Sequence, residues 1–231
     1  MDRIHSGQKH SGPAKDMDKL RDIGRGTRMI KIGITGGVGS GKSQVLAYLE
    51  EIHHARICQA DLIAHELQRP KEKCWRKIRE YFGEGICNPD GTIDRKKLGT
   101  IVFSDAEKLS VLNAIVHPAV NERIRRLIAE EEKKGTGIFV LEAALMTEPV
   151  YREMMDEIWY IYAEKQVRFQ RLRTDRGYSD EKTASMMSSQ VTEETYRDFC
   201  DLTIDNSREF EKTKVQIDRA LSDMKNRYDR R

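Results

Sequence analysis

The sequence predicts an α/β protein in three layers, α/β/α, built on a five-stranded parallel sheet and carrying a helical insertion and a lid. Three observations lead there. From residue 29 onward, short apolar runs alternate with segments whose hydrophobic residues recur at helical spacing. A glycine-rich octapeptide, Gly36–Ser43, falls between the first apolar run and the first helical segment. An all-helical stretch then separates Cys58 from Ile138, too long for a simple crossover between neighbouring strands.

Residues 1–28 are polar, basic and nearly free of periodic hydrophobics, and read as a disordered tail. Met29–Thr35 (MIKIGIT) is β-branched and apolar, a buried first strand that ends in Gly36-Gly37. Val45, Leu46, Leu49 and Ile52 mark the helix after it, and Ala55–Cys58 a second strand. Asp61 opens a helix that runs to Arg69, where Pro70 ends it. Trp75, Ile78 and Tyr81-Phe82 continue the helical pattern to a turn at Asn88-Pro89-Asp90-Gly91. Ser104 with Glu107 reads as a capping box for a long helical stretch, which Pro118 breaks or restarts.

Ile138–Leu141 and Ile158–Ala163 are the third and fourth strands. Helices follow at 164–174 and 180–190 around a turn at Gly177–Ser179. Leu202–Asp205 is the fifth strand, and Phe210, Ile217, Leu221 and Met224 mark the last helix. The expected division is a core of 29–60 and 136–231, an insertion at 61–135, and a lid at 164–190 within the core.

Composition narrows the function classes. Hydrophobic residues are 38% of the chain and charged residues 34%, with a formal net charge of +3. That balance is not the basic excess of a nucleic-acid-coating protein. No apolar run is long enough for a bilayer, so no membrane partner is expected. Cys58, Cys74, Cys87 and Cys200 form no C-x-x-C pair, which speaks against zinc and for a reducing cytoplasm.

Gly36-Gly37-Val38-Gly39-Ser40-Gly41-Lys42-Ser43 satisfies G-x-x-x-x-G-K-[ST], the P-loop, between a predicted strand and a predicted helix. Its glycines let backbone N–H groups converge on phosphate oxygens, and the helix that starts near Gly41 aims its dipole at the same anion. Lys42 is expected on the β- and γ-phosphates of ATP, and the Ser43 hydroxyl on Mg²⁺. Gln44 completes the nucleotide-binding set. The chain has no D-x-x-G and no N-K-x-D, the usual GTPase motifs.

Phosphoryl transfer needs an aligned acceptor hydroxyl, charge neutralisation and cationic cover. Asp61, just past the second strand, is either the base for that hydroxyl or the N-cap of a helix starting at Leu62. Glu142, ending the third strand, is either a Walker-B-like acid behind Mg²⁺ or an ordinary strand-end carboxylate. Arg168, Arg171, Arg173 and Arg176 crowd one helix-to-turn segment and read as lid cations or as a solvated basic face, with at least one facing outward. His117 alone is more often a packed or surface histidine than a ligand. Two classes stay open at this point: a small-molecule P-loop kinase, and a nucleotide-binding regulator without catalysis.

From Met29 on, the sequence resembles the dephospho-coenzyme A kinase family. Ile32–Ser43 (IGITGGVGSGKS) is similar to its opening strand and P-loop. Gln59–Pro70 (QADLIAHELQRP) is similar to D-A-D-x-I-A-x-x-x-x-x-P, and Tyr81–Asp105 to its Y-F-G … D-G-x-[LI]-x-R segment. Asn113–Val120 (NAIVHPAV) matches L-x-x-I-x-H-P-x-[IV], and Leu202–Asn206 (LTIDN) its closing V-I-D-N. The resemblance implies ATP- and Mg²⁺-dependent phosphorylation of the ribose 3′-hydroxyl of dephospho-CoA by a monomer or weak homo-oligomer. It places the catalytic aspartate on Asp61, carries His117 and Glu142 as substrate contacts, and makes Arg171 the best-matched lid arginine. The chain departs from the pattern at Gln59 for the first Asp of D-A-D, and at Gln44 for Thr. The D-x-P-L-L-x-E stretch is Glu142–Glu148, without its Asp and Pro. In the lid, R-D-G is inverted as Asp175-Arg176-Gly177, and Met186 stands for an arginine while Gln190 is kept.

Overall fold

The computed structural model describes residues 28–228; the expected tail therefore lies, apart from Arg28, outside the described residues. The chain runs β1 (Ile30–Thr35), α1 (Lys42–His53), β2 (Arg56–Gln59), α2 (Ala60–Leu67), α3 (Lys73–Phe82), α4 (Arg95–Phe103) and α5 (Ala106–Lys134). It continues through β3 (Ile138–Glu142), α6 (Pro149–Met154), β4 (Glu157–Tyr162), α7 (Lys165–Thr174), α8 (Asp180–Ser188), α9 (Glu193–Phe199), β5 (Leu202–Asp205) and α10 (Phe210–Tyr228).

The five strands pair in the order β2-β3-β1-β4-β5, every pair parallel. The period-2 alternation of each strand sorts its side chains between two cores. Ile30, Ile32, Ile34, Val140, Trp159 and Ile161 face one layer, where Val45 and Leu49 of α1 and Ile217, Leu221 and Met224 of α10 cover them. Phe139, Leu141 and Ile158 face the other, packed with Ile63 of α2, Ile78 of α3 and Val116, Val120, Ile124 and Ile128 of α5. Both faces of the sheet are thus buried, which explains why its strands read as near-continuous apolar runs. The chain leaves β1 toward β2 on one side and reaches β4 and β5 on the other, so a crevice opens at the carboxyl ends of the strands beside β1.

Two local expectations are corrected. The long helix is one element from Ala106 to Lys134 with Pro118 inside it. An interior proline costs about 3 kcal/mol. The apolar stripe at Val116, Val120, Ile124 and Ile128 runs straight across it, and burial of that stripe against α2, α3 and α4 holds the helix continuous. The cap of this helix is Asp105, whose carboxylate accepts from the N–H groups of Glu107 and Lys108 at 3.1 Å each. Ser104 instead closes α4, its hydroxyl donating to the carbonyls of Thr100 and Ile101. The sequence reading also passed over α4, α6 and α9, each nine residues or shorter.

Replacing Asp105 with Ala is expected to lower unfolding free energy by about 1 kcal/mol, against less than about 0.5 kcal/mol for Ser104→Ala, in urea titrations followed by circular dichroism. The opposite order would restore the capping box.

Candidate active site

Parallel strands bring their carboxyl ends to one edge, and the candidate residues follow those ends. Gly36 leaves β1, Asp61 lies just past β2, Glu142 ends β3, and Asn206 leaves β5. A cleft of ≈ 700 Å³ is lined there by Gly36–Gln44, Gln59, Asp61, Glu142, Ala144, Arg171, Leu172, Asp175, Arg176, Met186 and Gln190.

The loop from Gly36 to Ser43 is held through its carbonyl oxygens, once by its own Lys42 and otherwise from outside. Lys42 Nζ donates to the Gly36 carbonyl at 2.7 Å, and Arg168 Nε to that of Val38 at 2.9 Å. The Ser40 carbonyl accepts from Asn206 Nδ2 at 2.8 Å and from Arg171 Nη1 at 3.4 Å. Arg171 Nη2 donates in turn to the Asn206 carbonyl at 2.8 Å. Gln190 Oε1 accepts from the Val38 N–H at 3.1 Å and from Arg168 Nη2. Asn206 is fully buried, and Thr213 Oγ1 of α10 donates to its Oδ1 at 2.9 Å. Glycine is required at two points of this loop. At Gly41, where φ is +87°, a Cβ would overlap Asn206 Nδ2; at Gly39, where φ is +78°, it would press on the Arg168 carbonyl. Ser40 Oγ is buried with no hydrogen-bond partner among the described residues.

Charge is concentrated on the opposite wall. Lys42 Nζ lies 3.8 Å from Glu142 Oε1. Burial pulls the Lys42 ammonium below its ordinary pKa; Glu142 and Asp61 push it back up, and Arg168 and Arg176 add to the fall. Burial raises the Glu142 carboxyl, against the attraction of Lys42 and a hydrogen bond from Gln59 Nε2. Asp61 is exposed, sits inside the first turn of a helix that starts one residue earlier, and makes no hydrogen bond among the described residues. The expectation that it caps a helix starting at Leu62 is therefore corrected.

The structure divides the four arginines. Arg168 and Arg171 are bound to the phosphate loop and Arg173 faces outward, 2.8 Å from Asp180. Arg176 lines the cleft. His117 lies on α5 outside that lining, half exposed, with Nδ1 3.0 Å from Glu148 Oε1. Sequence reasoning singled out neither Asn206 nor the Gln59–Glu142 contact. The signal for Asn206 was its place one residue past a strand at the carboxyl edge. Cys58 is buried and its thiol pushed up to about 11, the inert structural thiol expected of its apolar context.

The fold and this site define a P-loop phosphotransferase: a phosphate cradle at a helix N-terminus, with carboxylates and arginines around it, on a parallel sheet. The chain belongs to the dephospho-CoA kinase family, whose model matches residues 30–212. The dephospho-CoA kinase of Carboxydothermus hydrogenoformans is 39% identical over 80% of this chain and 90% of its own. That of Dehalococcoides mccartyi is 38% identical over 79% and 91%. The crystal structure of TT1252 from Thermus thermophilus superposes with a TM-score of 0.69 at 28% identity, covering 85% of this chain and 98% of that one. The fold of dephospho-CoA kinase from Campylobacter jejuni is shared at a TM-score of 0.63 and 23% identity, over 85% and 97%.

Gly41→Ala is expected to abolish measurable ADP binding in calorimetry. Gly135→Ala, also at positive φ but with nothing near its Cβ, should cost about 1 kcal/mol of stability and leave ADP affinity unchanged. Equal loss of binding in both would make general destabilisation, not the change at the phosphate loop, the cause.

Proposed function

We propose that this chain transfers the γ-phosphoryl group of ATP to the ribose 3′-hydroxyl of dephospho-CoA, giving coenzyme A and ADP. The observation that carries the reading is the meeting of the Gly36–Ser43 cradle with Asp61, Glu142 and lid arginines in one cleft, in a member of this kinase family.

The residues fit the nucleotide. Gly39 and Gly41 leave the loop backbone open where a Cβ would fill it, and the Ser40 hydroxyl, without a partner among the described residues, sits in the same loop. The N–H groups of Gly39, Gly41, Lys42 and Ser43 take the phosphate oxygens, those of Ser40 and Gln44 being bonded within the loop, and the N-terminal dipole of α1 favours the anion. Lys42 exchanges the Gly36 carbonyl for the β- and γ-phosphates. Ser43 Oγ, with the Glu142 carboxylate behind it on the same cleft, supplies the oxygen donors that Mg²⁺ prefers. Bound there, Mg²⁺ would neutralise charge on the β- and γ-phosphate oxygens.

Asp61 accepts the proton of the acceptor hydroxyl as its oxygen bonds to the γ-phosphorus and the bond to the β-phosphate oxygen breaks. Its carboxylate makes no hydrogen bond among the described residues that would hold it away from the acceptor. Glu142 holds Lys42 and, through Gln59, the end of β2. Arg171, bonded to both Ser40 and Asn206, positions the cradle. We assign 29–60 and 136–231 to the nucleotide core, 61–135 to acceptor binding and 164–190 to the lid. His117, tied to Glu148 on the insertion side, is assigned to the outer part of the acceptor path. Free Cys58 and Cys74 fit a cytoplasmic enzyme, and we take it to act as a monomer or weak homo-oligomer.

A coupled ADP-release assay should show turnover that needs dephospho-CoA. Lys42→Ala should abolish it and weaken ATP binding, while Asp61→Asn should lower kcat at least about 100-fold with ATP affinity retained. Near-wild-type turnover in Asp61→Asn would remove the aspartate from the chemistry; turnover of a nucleoside but not of dephospho-CoA would overturn the acceptor.

A further inference from the structure

We infer that Arg176, rather than any other arginine of the 168–176 segment, is the catalytic cation that covers the transferring phosphoryl group. The inference rests on the phosphoryl-transfer reading above and names the residue that reading leaves open.

A cation that covers the equatorial oxygens must reach the cleft and must be free to change partners. Arg168 fails the second condition. Its guanidinium is spent on the Val38 carbonyl and on Gln190 Oε1, which also holds the Val38 N–H. Arg171 fails it as well, because it bridges the carbonyls of Ser40 and Asn206. Releasing either arginine would undo the cradle it supports. Arg173 fails the first condition, lying outside the cleft against Asp180.

Arg176 meets both. It lines the cleft that holds Lys42, Asp61 and Glu142. It has no hydrogen bond or ion pair among the described residues, and it sits close enough to lower the pKa of Lys42 by charge alone. It is exposed, beyond the end of α7 and beside Gly177, whose φ of +62° makes the turn into α8. That is a tip, joined to the core at one end by the bonds of Arg168 and Arg171 and at the other by Gln190. Met186, across the cleft on α8, is apolar and adds no charge. With Arg168 and Arg171 committed, the cation for the γ-phosphoryl oxygens comes from Arg176.

Arg176→Ala should lower kcat at least about 100-fold with KM for ATP changed less than about threefold, and Arg176→Lys should recover part of it. Arg173→Ala, the same charge change one turn away, should stay within about twofold of wild type. Adding Met186→Arg to Arg176→Ala should raise kcat at least about tenfold, by returning a guanidinium to the same cleft. An acceptor-independent readout is the tightening of ADP binding by aluminium fluoride, a mimic of the transferring group. Wild type should show it and Arg176→Ala should lose it, with ADP affinity unchanged. Retained tightening in Arg176→Ala, or turnover within threefold of wild type, overturns the inference. A wild-type protein that ignores dephospho-CoA yet shows Arg176-dependent tightening overturns the acceptor and leaves Arg176 in place.

Discussion

The site depends on one constraint: a phosphate loop can turn its N–H groups toward an anion only if its carbonyl oxygens are satisfied elsewhere. Here the carbonyls have side-chain donors: Arg168 takes Val38 and Asn206 with Arg171 takes Ser40, while Lys42 holds Gly36 until phosphate takes its place. Leaving one such buried acceptor unpaired costs about 1–3 kcal/mol, a sizeable share of the margin by which a domain is stable. The loop is therefore shaped before a nucleotide arrives, and binding energy is not drawn down in ordering it.

Apart from Lys42, these donors come from two distant stretches of chain, around Arg168–Arg171 and at Asn206, which couples the loop to the rest of the fold. Asn206 is fixed by Thr213 of α10 and by its own N–H, which donates to the Tyr162 carbonyl at 2.8 Å. Arg168 and Arg171 lie on α7, so that helix is tied to the loop through their bonds to its carbonyls. Across the cleft, burial raises Glu142 and lowers Lys42. Both shifts have one cause, a poorly hydrated pocket, and charges there act more strongly than in water.

What the sequence made legible is what local pattern encodes. The five strands, the P-loop and the placing of Asp61 and Glu142 at strand ends followed from hydrophobic runs and glycine spacing. The misreadings are equally local. Ser104 and Asp105 are both good caps one residue apart, and only the true start of α5 separates them. Pro118 reads as a break until burial of the stripe around it is known. Short α4, α6 and α9 carry too little periodicity to register. The roles of Asn206 and Arg176, both named within sequence motifs, were illegible for another reason. The first is defined by a bond to a residue 166 positions away, and the second by what its three neighbouring arginines are already bonded to.

The most direct test of this account is the ADP affinity of Asn206→Asp measured by calorimetry at a temperature where circular dichroism shows it folded. The change keeps the volume and the acceptor for Thr213 but replaces the donor to the Ser40 carbonyl with an oxygen. A drop of tenfold or more, about 1.4 kcal/mol, is the predicted result. Unchanged affinity in a folded Asn206→Asp protein would contradict the account, because the loop would then hold its shape without the donors placed around it.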